Sequence, residues 1–268
     1  MPFPLAHPAA VLPFRRLSCS YFNFTALVIG SITPDLGYCL ERYQVDVLSH
    51  SIRGCFIFSL PVGLVLVAVF RAIAEPLAEW LPAPHRRALV PAFLQRSQRW
   101  FAIPLSLVVG AMTHVFWDSF THDTGWMVER SSLLQWKLFY LAGHSFQLYR
   151  LLWHLSTWIG LFLIYRTYSG VVRDSTGLRG NLWAMERRRR LLWISVLLPP
   201  LIPAGAIALA RHAKEFPSLR ALVTCLRLSA AIYLVSVSVI LIALGAAMRI
   251  RRRSGTFPVR QEDKRAVP

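Results

Sequence analysis

Residues 101–122 read FAIPLSLVVGAMTHVFWDSFTH, an apolar run that ends in three ligand-type side chains. From Phe101 to Thr113 no residue carries a charge; His114, Asp118 and His122 then follow at intervals of four. On a helix that spacing stacks all three on one face. The run approaches the length a helix needs to cross the ~30 Å hydrocarbon core of a bilayer. Histidine and aspartate are costly there unless something holds them. The stretch therefore predicts a membrane helix whose end presents a functional face.

The rest of the chain fits that class. Of its 268 residues 55% are hydrophobic, and the mean hydropathy is +0.45. Apolar runs at about 55–73, 101–118, 148–167, 190–210 and 228–248 predict an all-α, polytopic membrane protein of about five transmembrane helices. Pro61 should kink the first, and Pro199, Pro200 and Pro203 should bend or break the fourth. Ahead of them FNFTALVIGSITPDLGY, residues 22–38, is too short to span and predicts a buried or re-entrant helix. Residues 8–20 predict an amphipathic helix with Pro8 at its first position. On this reading residues 1–168 carry the functional face and 169–248 add two further membrane helices of the same domain. The basic tail 249–268 is expected to be disordered.

Charge bounds the partners. The net charge is +17, and the arginines flank apolar runs instead of lining a polar domain. Membrane lipid, not nucleic acid, is the expected partner. The loops 74–100 and 168–189 and the tail hold more Lys and Arg than segment 1–54 and the loops 119–147 and 211–227. In a multi-pass inner-membrane protein the positive-inside rule then puts the C-terminus in the cytoplasm. The functional face falls on the opposite side, together with His7, Asp35, His50 and His154.

An unpaired carboxylate in such a place costs several kcal/mol or takes up a proton, and a divalent cation removes that penalty. Eight residues of helix rise about 12 Å, too far for one ion to take both His114 and His122. Either the helix breaks before His122, or Asp118 bridges two ions about 3.5–4 Å apart. In GSITPDLGY, Pro34 should push Thr33 into an extended conformation, end the short helix and present Asp35 at a turn. LSHSIRG places His50 at the entrance of the first span, and LAHPAA places His7 beside a helix start. His154, in LLWHLSTWIG, should face the helix bundle or the site. Any one such residue more often caps a helix or bonds a carbonyl. Seven on one side of a membrane point to one or two divalent metal ions. Histidine and carboxylate without cysteine suit Zn²⁺ first, with Mn²⁺ or Fe²⁺ as alternatives. The four cysteines show no C-x-x-C spacing. No Gly-x-Ser-x-Gly elbow supports a serine nucleophile, and no P-loop supports a nucleotide ligand.

Five segments also carry a resemblance. MPFPLAHPAAVLP (1–13), ALVIGSITPD (26–35), LSHSIRGCFIFSLPVG (48–63), GAMTHVFWDSFTH (110–122) and LLWHLSTWIG (151–160) occur in that order. They resemble the successive motifs of a bacterial membrane-protein family described as domain of unknown function 4184, over about residues 1–165. More distantly, the pattern is similar to the YdjM-type inner-membrane metal-dependent hydrolases and to zinc-dependent phospholipases C. The resemblance implies His7, Asp35, His50, His114 and Asp118 as ligands, with His122 and His154 beside them. It also implies hydrolysis of an ester or phosphoester of a lipid or lipid-linked substrate. The competing class is a non-enzymatic transporter or sensor that binds metal. Transport would need ligands through the depth of the membrane, and the fourth and fifth spans offer few.

Overall fold

In the computed structural model of the chain, which describes residues 4–17, 21–40, 43–93, 99, 101–141, 144–175, 191, 193–212 and 219–253, the protein is mostly helical. A 3₁₀ segment (Pro4–Leu17) leads to α1 (Phe24–Ile32), a second 3₁₀ segment (Thr33–Leu40) and α2 (Tyr43–Ser49). Next come α3 (Ile52–Gly54), a π-helical turn (Cys55–Ser59), α4 (Leu60–Trp80), α5 (Ala83–Phe93) and α6 (Ala102–Asp118). The remainder is α7 (Trp126–Arg130), strands β1 (Lys137–Leu141) and β2 (His144–Gln147), α8 (Leu148–Ser175), α9 (Leu201–His212) and α10 (Leu219–Arg253). The chain divides into two compact units, Met1–Ala68 with Arg87–Gly177, and Val69–Arg86 with Leu178–Pro268.

The first unit is organised by α1 against α6. At the start of α1, the Asn23 side chain caps the helix by accepting from Ala26 N–H at 2.9 Å. The backbone N–H of Asn23 donates to Ser106 Oγ at 2.8 Å. At the other end, His114 Nδ1 meets the Ser31 carbonyl at 2.8 Å. Both ties join residues 83 apart in sequence, so the two helices run in the same direction. They are close enough for backbone to touch backbone. A Cβ on Gly30 would collide with the Leu107 carbonyl, and one on Gly110 with the Leu27 carbonyl. Ala26, Leu107 and Val67 are buried together beside this contact, with Ile29, Leu60 and Ile103 packed around them. A second buried group joins Cys55, Ala111 and Val115. Parallel packing brings both helix C-termini to one place, which is where Asp35 and Asp118 stand.

Several sequence expectations change here. The N-terminal segment is 3₁₀ and starts at Pro4, so Pro8 and Pro13 both lie inside it. Each proline removes an N–H and crowds the carbonyl four residues back, which disfavours α-helix over this stretch. Thr33 is not extended but helical, with φ −57° and ψ −39°. Its hydroxyl bonds the Ile29 carbonyl at 2.6 Å, which offsets the clash with the following proline. α1 does end at Ile32, but by passing directly into the second 3₁₀ segment, of which Pro34 is the second residue. The loop expected at 119–147 contains α7 and an antiparallel hairpin that pairs Phe139 with Phe146.

Of the five expected spans, one helix among the described residues is long and apolar enough to cross a membrane. It is the continuous stretch Ile52–Trp80, 29 residues with a hydropathy of 2.3 in its most apolar window, of which only 17% is buried. It contains a π turn, where Leu60 N–H reaches back five residues to the Cys55 carbonyl just before Pro61, which has no N–H to give. α6 has 17 residues and is shorter than a full span. The expected break in the fourth run is a turn at 198–200. α10 extends to Arg253, so the tail expected from 249 is helical for its first five positions. The remainder of that tail, 254–268, lies outside the described residues.

Candidate metal centre

Three helices point their C-termini at one spot: α1 ends at Ile32, α2 at Ser49 and α6 at Asp118. Helix C-termini carry partial negative charge and exposed carbonyls, so the place already favours a cation. Asp35 arrives in the first turn of the second 3₁₀ segment, and His50 directly follows α2. His114 and Asp118 come from the last turn of α6, and His7 comes from the N-terminal 3₁₀ segment. His114 is 1%, His7 4%, Asp118 5% and Asp35 7% exposed.

The donor atoms converge. His114 Nε2 lies 3.2 Å from Asp118 Oδ2 and 3.5 Å from Asp35 Oδ1. His50 Nε2 lies 3.5 Å from Asp35 Oδ1 and 3.8 Å from Asp118 Oδ2. His7 Nε2 and His122 Nδ1 each lie 3.6 Å from Asp118 Oδ1. Two triads, His7–Asp35–His114 and His50–His114–Asp118, bring ligand atoms within 4.8 Å of one another. The Asp118 carboxylate thus turns one oxygen to His50 and His114 and the other to His7 and His122. The rings of His7 and His114 stack at 3.7 Å.

Proton positions follow from what the other ring nitrogen touches. His114 Nδ1 sits 2.8 Å from the Ser31 carbonyl. His50 Nδ1 sits 3.0 Å from the Asp46 carbonyl and 3.3 Å from Asp46 Oδ1. His122 Nδ1 sits 3.1 Å from the Asp118 carbonyl. A carbonyl only accepts, so Nδ1 carries the hydrogen in each. The Nε2 of each neutral ring is then a lone pair. Those Nε2 atoms, with His7 Nε2 and both carboxylate oxygens of Asp35 and Asp118, are buried without a hydrogen-bond partner. Lone pairs facing lone pairs repel unless something positive sits among them. Burial pushes the His7 imidazole well below its usual pKa, His114 adds to this and Asp118 opposes it. Burial also lowers His122, against the pull of Asp118. Protonation of these two rings is therefore disfavoured, and neutral nitrogen donors beside carboxylates can hold a metal ion.

Six of the seven residues expected from sequence meet here: His7, Asp35, His50, His114, Asp118 and His122. The helix does break before His122, because α6 ends at Asp118. The following turn brings the His122 ring back to Asp118 although it is four residues on. His154 is exposed on α8, with its ring beside Trp153 and Phe146, and is not in either triad. One contributor was missed. Asp46 holds His50 from behind and takes a hydrogen bond from Tyr38; burial raises its pKa, with His50 opposing. Its signal was the same i, i+4 spacing that singled out His114 and Asp118. Such carboxylate–histidine pairs fix the tautomer and direction of a ligating ring.

A family model described as a domain of unknown function (DUF4184) matches residues 1–250, and the chain belongs to that family. The match continues well past residue 165, so the later helices share in the family pattern as well. No curated protein and no solved structure matches the chain.

Proposed function

We propose that this DUF4184 protein is a multi-pass membrane hydrolase, dependent on one or two divalent metal ions, that cleaves an ester or phosphoester of a lipid or lipid-linked substrate. The observation that carries the reading is the convergence of buried, partnerless Nε2 and carboxylate atoms from four separate stretches of chain. Asp35, His50, His114 and Oδ2 of Asp118 offer one set of donors, and His7 with Oδ1 of Asp118 a second, beside which His122 holds its Nδ1–H 3.6 Å from Oδ1. A carboxylate with donors on both oxygens suits a bridge between two ions. Nitrogen and oxygen donors without thiolate favour Zn²⁺, with Mn²⁺ or Fe²⁺ as the alternatives. Bound there, a divalent ion would acidify a water and polarise an acyl or phosphoryl oxygen. The chain's own part is to hold the imidazoles in place: the carbonyls of Asp46, Ser31 and Asp118 orient the rings of His50, His114 and His122.

The apolar, outward-facing helix Ile52–Trp80 supports a membrane location. The multi-pass inner-membrane topology, with the C-terminus cytoplasmic and the centre opposite, rests on sequence charge. The hydrolytic reading draws on the distant similarity to the YdjM-type hydrolases. Metal analysis of detergent-purified protein, wild type against Asp118→Ala, tests the centre: stoichiometric transition metal is expected in the first only. Wild type without metal would sink the reading. A lipid-hydrolysis screen with the metal exchanged then separates hydrolase from transporter, and an active periplasmic reporter at Pro268 would overturn the topology.

A further inference from the structure

A cavity of about 150 Å³ adjoins the centre. Ala6 and Ala10 of the N-terminal 3₁₀ segment form one wall, Ile159, Gly160 and Leu163 of α8 another, and Trp117 of α6 a third. His7, which faces Asp118, also lines it. The cavity exists because the residues on the 3₁₀ side are alanines, next to a point where the segment and α8 nearly touch. A Cβ on Gly160 would stand 2.9 Å from the Ala6 carbonyl oxygen.

Its chemistry selects an apolar occupant. Besides His7 and the largely apolar indole of Trp117, the polar side chain in the lining is Ser156, whose hydroxyl bonds the Trp153 carbonyl at 3.1 Å. An ordered water needs two to four polar partners, and an apolar cavity of this size holds a benzene-sized group of about six carbons. The cavity also shares Ile159 and Leu163 with an exposed apolar stripe on α8, formed with Leu155, Trp158 and Phe162. That spacing of i, i+3, i+4, i+7 and i+8 is one continuous helix face. The cavity therefore joins a surface suited to acyl chains with a residue of the candidate centre.

We infer that this cavity holds the first several carbons of an alkyl chain, so that the centre acts on an amphiphile whose polar head lies beside His7. The assignment rests on the metal-centre reading for the head and on the cavity alone for the chain.

Two probes separate these parts. A diazirine-bearing octanol has an alkyl chain and no strong metal ligand. Photolabelling of full-length protein in nanodiscs should place adducts at residues 6–10 and 156–163 in wild type, and these should be lost in Ala10→Phe, which fills the space. Labelling only elsewhere, or equal labelling of the variant, overturns the cavity assignment whatever the metal content. Straight-chain hydroxamates of two to ten carbons carry a metal-binding head. With metal-loaded wild type, affinity should rise about fourfold per methylene and level off near six carbons. In Ala10→Phe the rise should vanish while acetohydroxamate still binds and metal content matches wild type. Leu163→Ala, which enlarges the space, should move the plateau to longer chains. A flat series in metal-loaded wild type overturns the link between cavity and centre. Absence of metal with labelling intact overturns the centre and leaves the chain site standing.

Discussion

His114 on α6 and His154 on α8 are both histidines within apolar helical runs, although only His114 has Asp118 and His122 following at intervals of four. Folded, they are opposites. His114 is buried, gives its Nδ1–H to the Ser31 carbonyl and turns Nε2 toward two carboxylates. His154 is exposed, with its ring edge-on to Trp153 and stacked at 6.1 Å on Phe146. The cost of a polar group in an apolar helix can thus be met in two ways. One is to bury it among partners that need a cation, and the other is to leave it at the surface. The intrinsic chemistry is the same, and the packing of the neighbouring element decides.

The hardest test of this contrast removes the carboxylate that defines one side of it. Asp118→Ala is expected to abolish stoichiometric metal binding, read by elemental analysis. In wild type, chelation from a free-metal level a thousandfold above Kd should cost about 4 kcal/mol of apparent stability. Thermal melts with and without chelator report it. The variant should show no chelator shift, and stripped of metal it should be at least as stable as stripped wild type. Without the ion the carboxylate stays buried among imidazoles, and removing it removes its desolvation cost. A metal-free wild type that melts well above the metal-free variant would break the argument.

The second test moves the packing and leaves the ligands alone. Gly30 and Gly110 allow the backbone contact that brings Asp35 to the end of α6. At Gly30 the obstructing atoms are backbone and cannot rotate away. Gly30→Ala should therefore cost about 1–3 kcal/mol and weaken metal binding with it. Gly170 on α8 has nothing within 4 Å of an added Cβ. Gly170→Ala should be neutral or stabilise by up to about 1 kcal/mol. Equal melting shifts for the two would show that the α1–α6 contact does not hold the centre.

These residues also explain what sequence could reveal. The i, i+4 stripe of His114 and Asp118 is local and was legible, as were the end of α1 before Pro34 and the predominance of helix. That His7, Asp35 and His50 would meet them was expected from charge and motif order; how they meet was not, because it depends on two helices running parallel with glycines at the crossing. A one-dimensional pattern marks a glycine without marking what approaches it. Span counting meets a related difficulty. Hydropathy measures how apolar a run is, yet part of the apolar surface of the 17-residue α6 is buried, at Ala102, Leu107 and Ala111. The exposure of His154 was not legible, because periodicity cannot say which face of α8 stays exposed.

Asp46 gives a smaller and more selective effect. It touches His50 at Nδ1 and stands behind that ring, not among the converging Nε2 donors. Asp46→Asn should keep the fold, since the backbone carbonyl still accepts from Nδ1–H, but lower metal affinity by about 10–100-fold by removing the carboxylate charge beside the ring. Asp46→Glu should restore part of it. No change in affinity would reduce Asp46 to a helix-end residue.

The smallest expected effect is the other half of the opening contrast. His154→Ala should leave metal stoichiometry and affinity as in wild type and shift stability by no more than about 0.5 kcal/mol, the range of an ordinary surface substitution. The ring is exposed, so its removal opens no cavity. The outcome discriminates because the family resemblance and the folded geometry diverge at this residue. The motif LLWHLSTWIG implies a ligand, whereas the His154 ring is exposed beside Trp153 and Phe146. Tenfold weaker metal binding in His154→Ala would mean that α8 turns His154 inward when metal binds. The centre would then be completed by a movement of α8, and the exposed stripe beside the cavity would have to move with it.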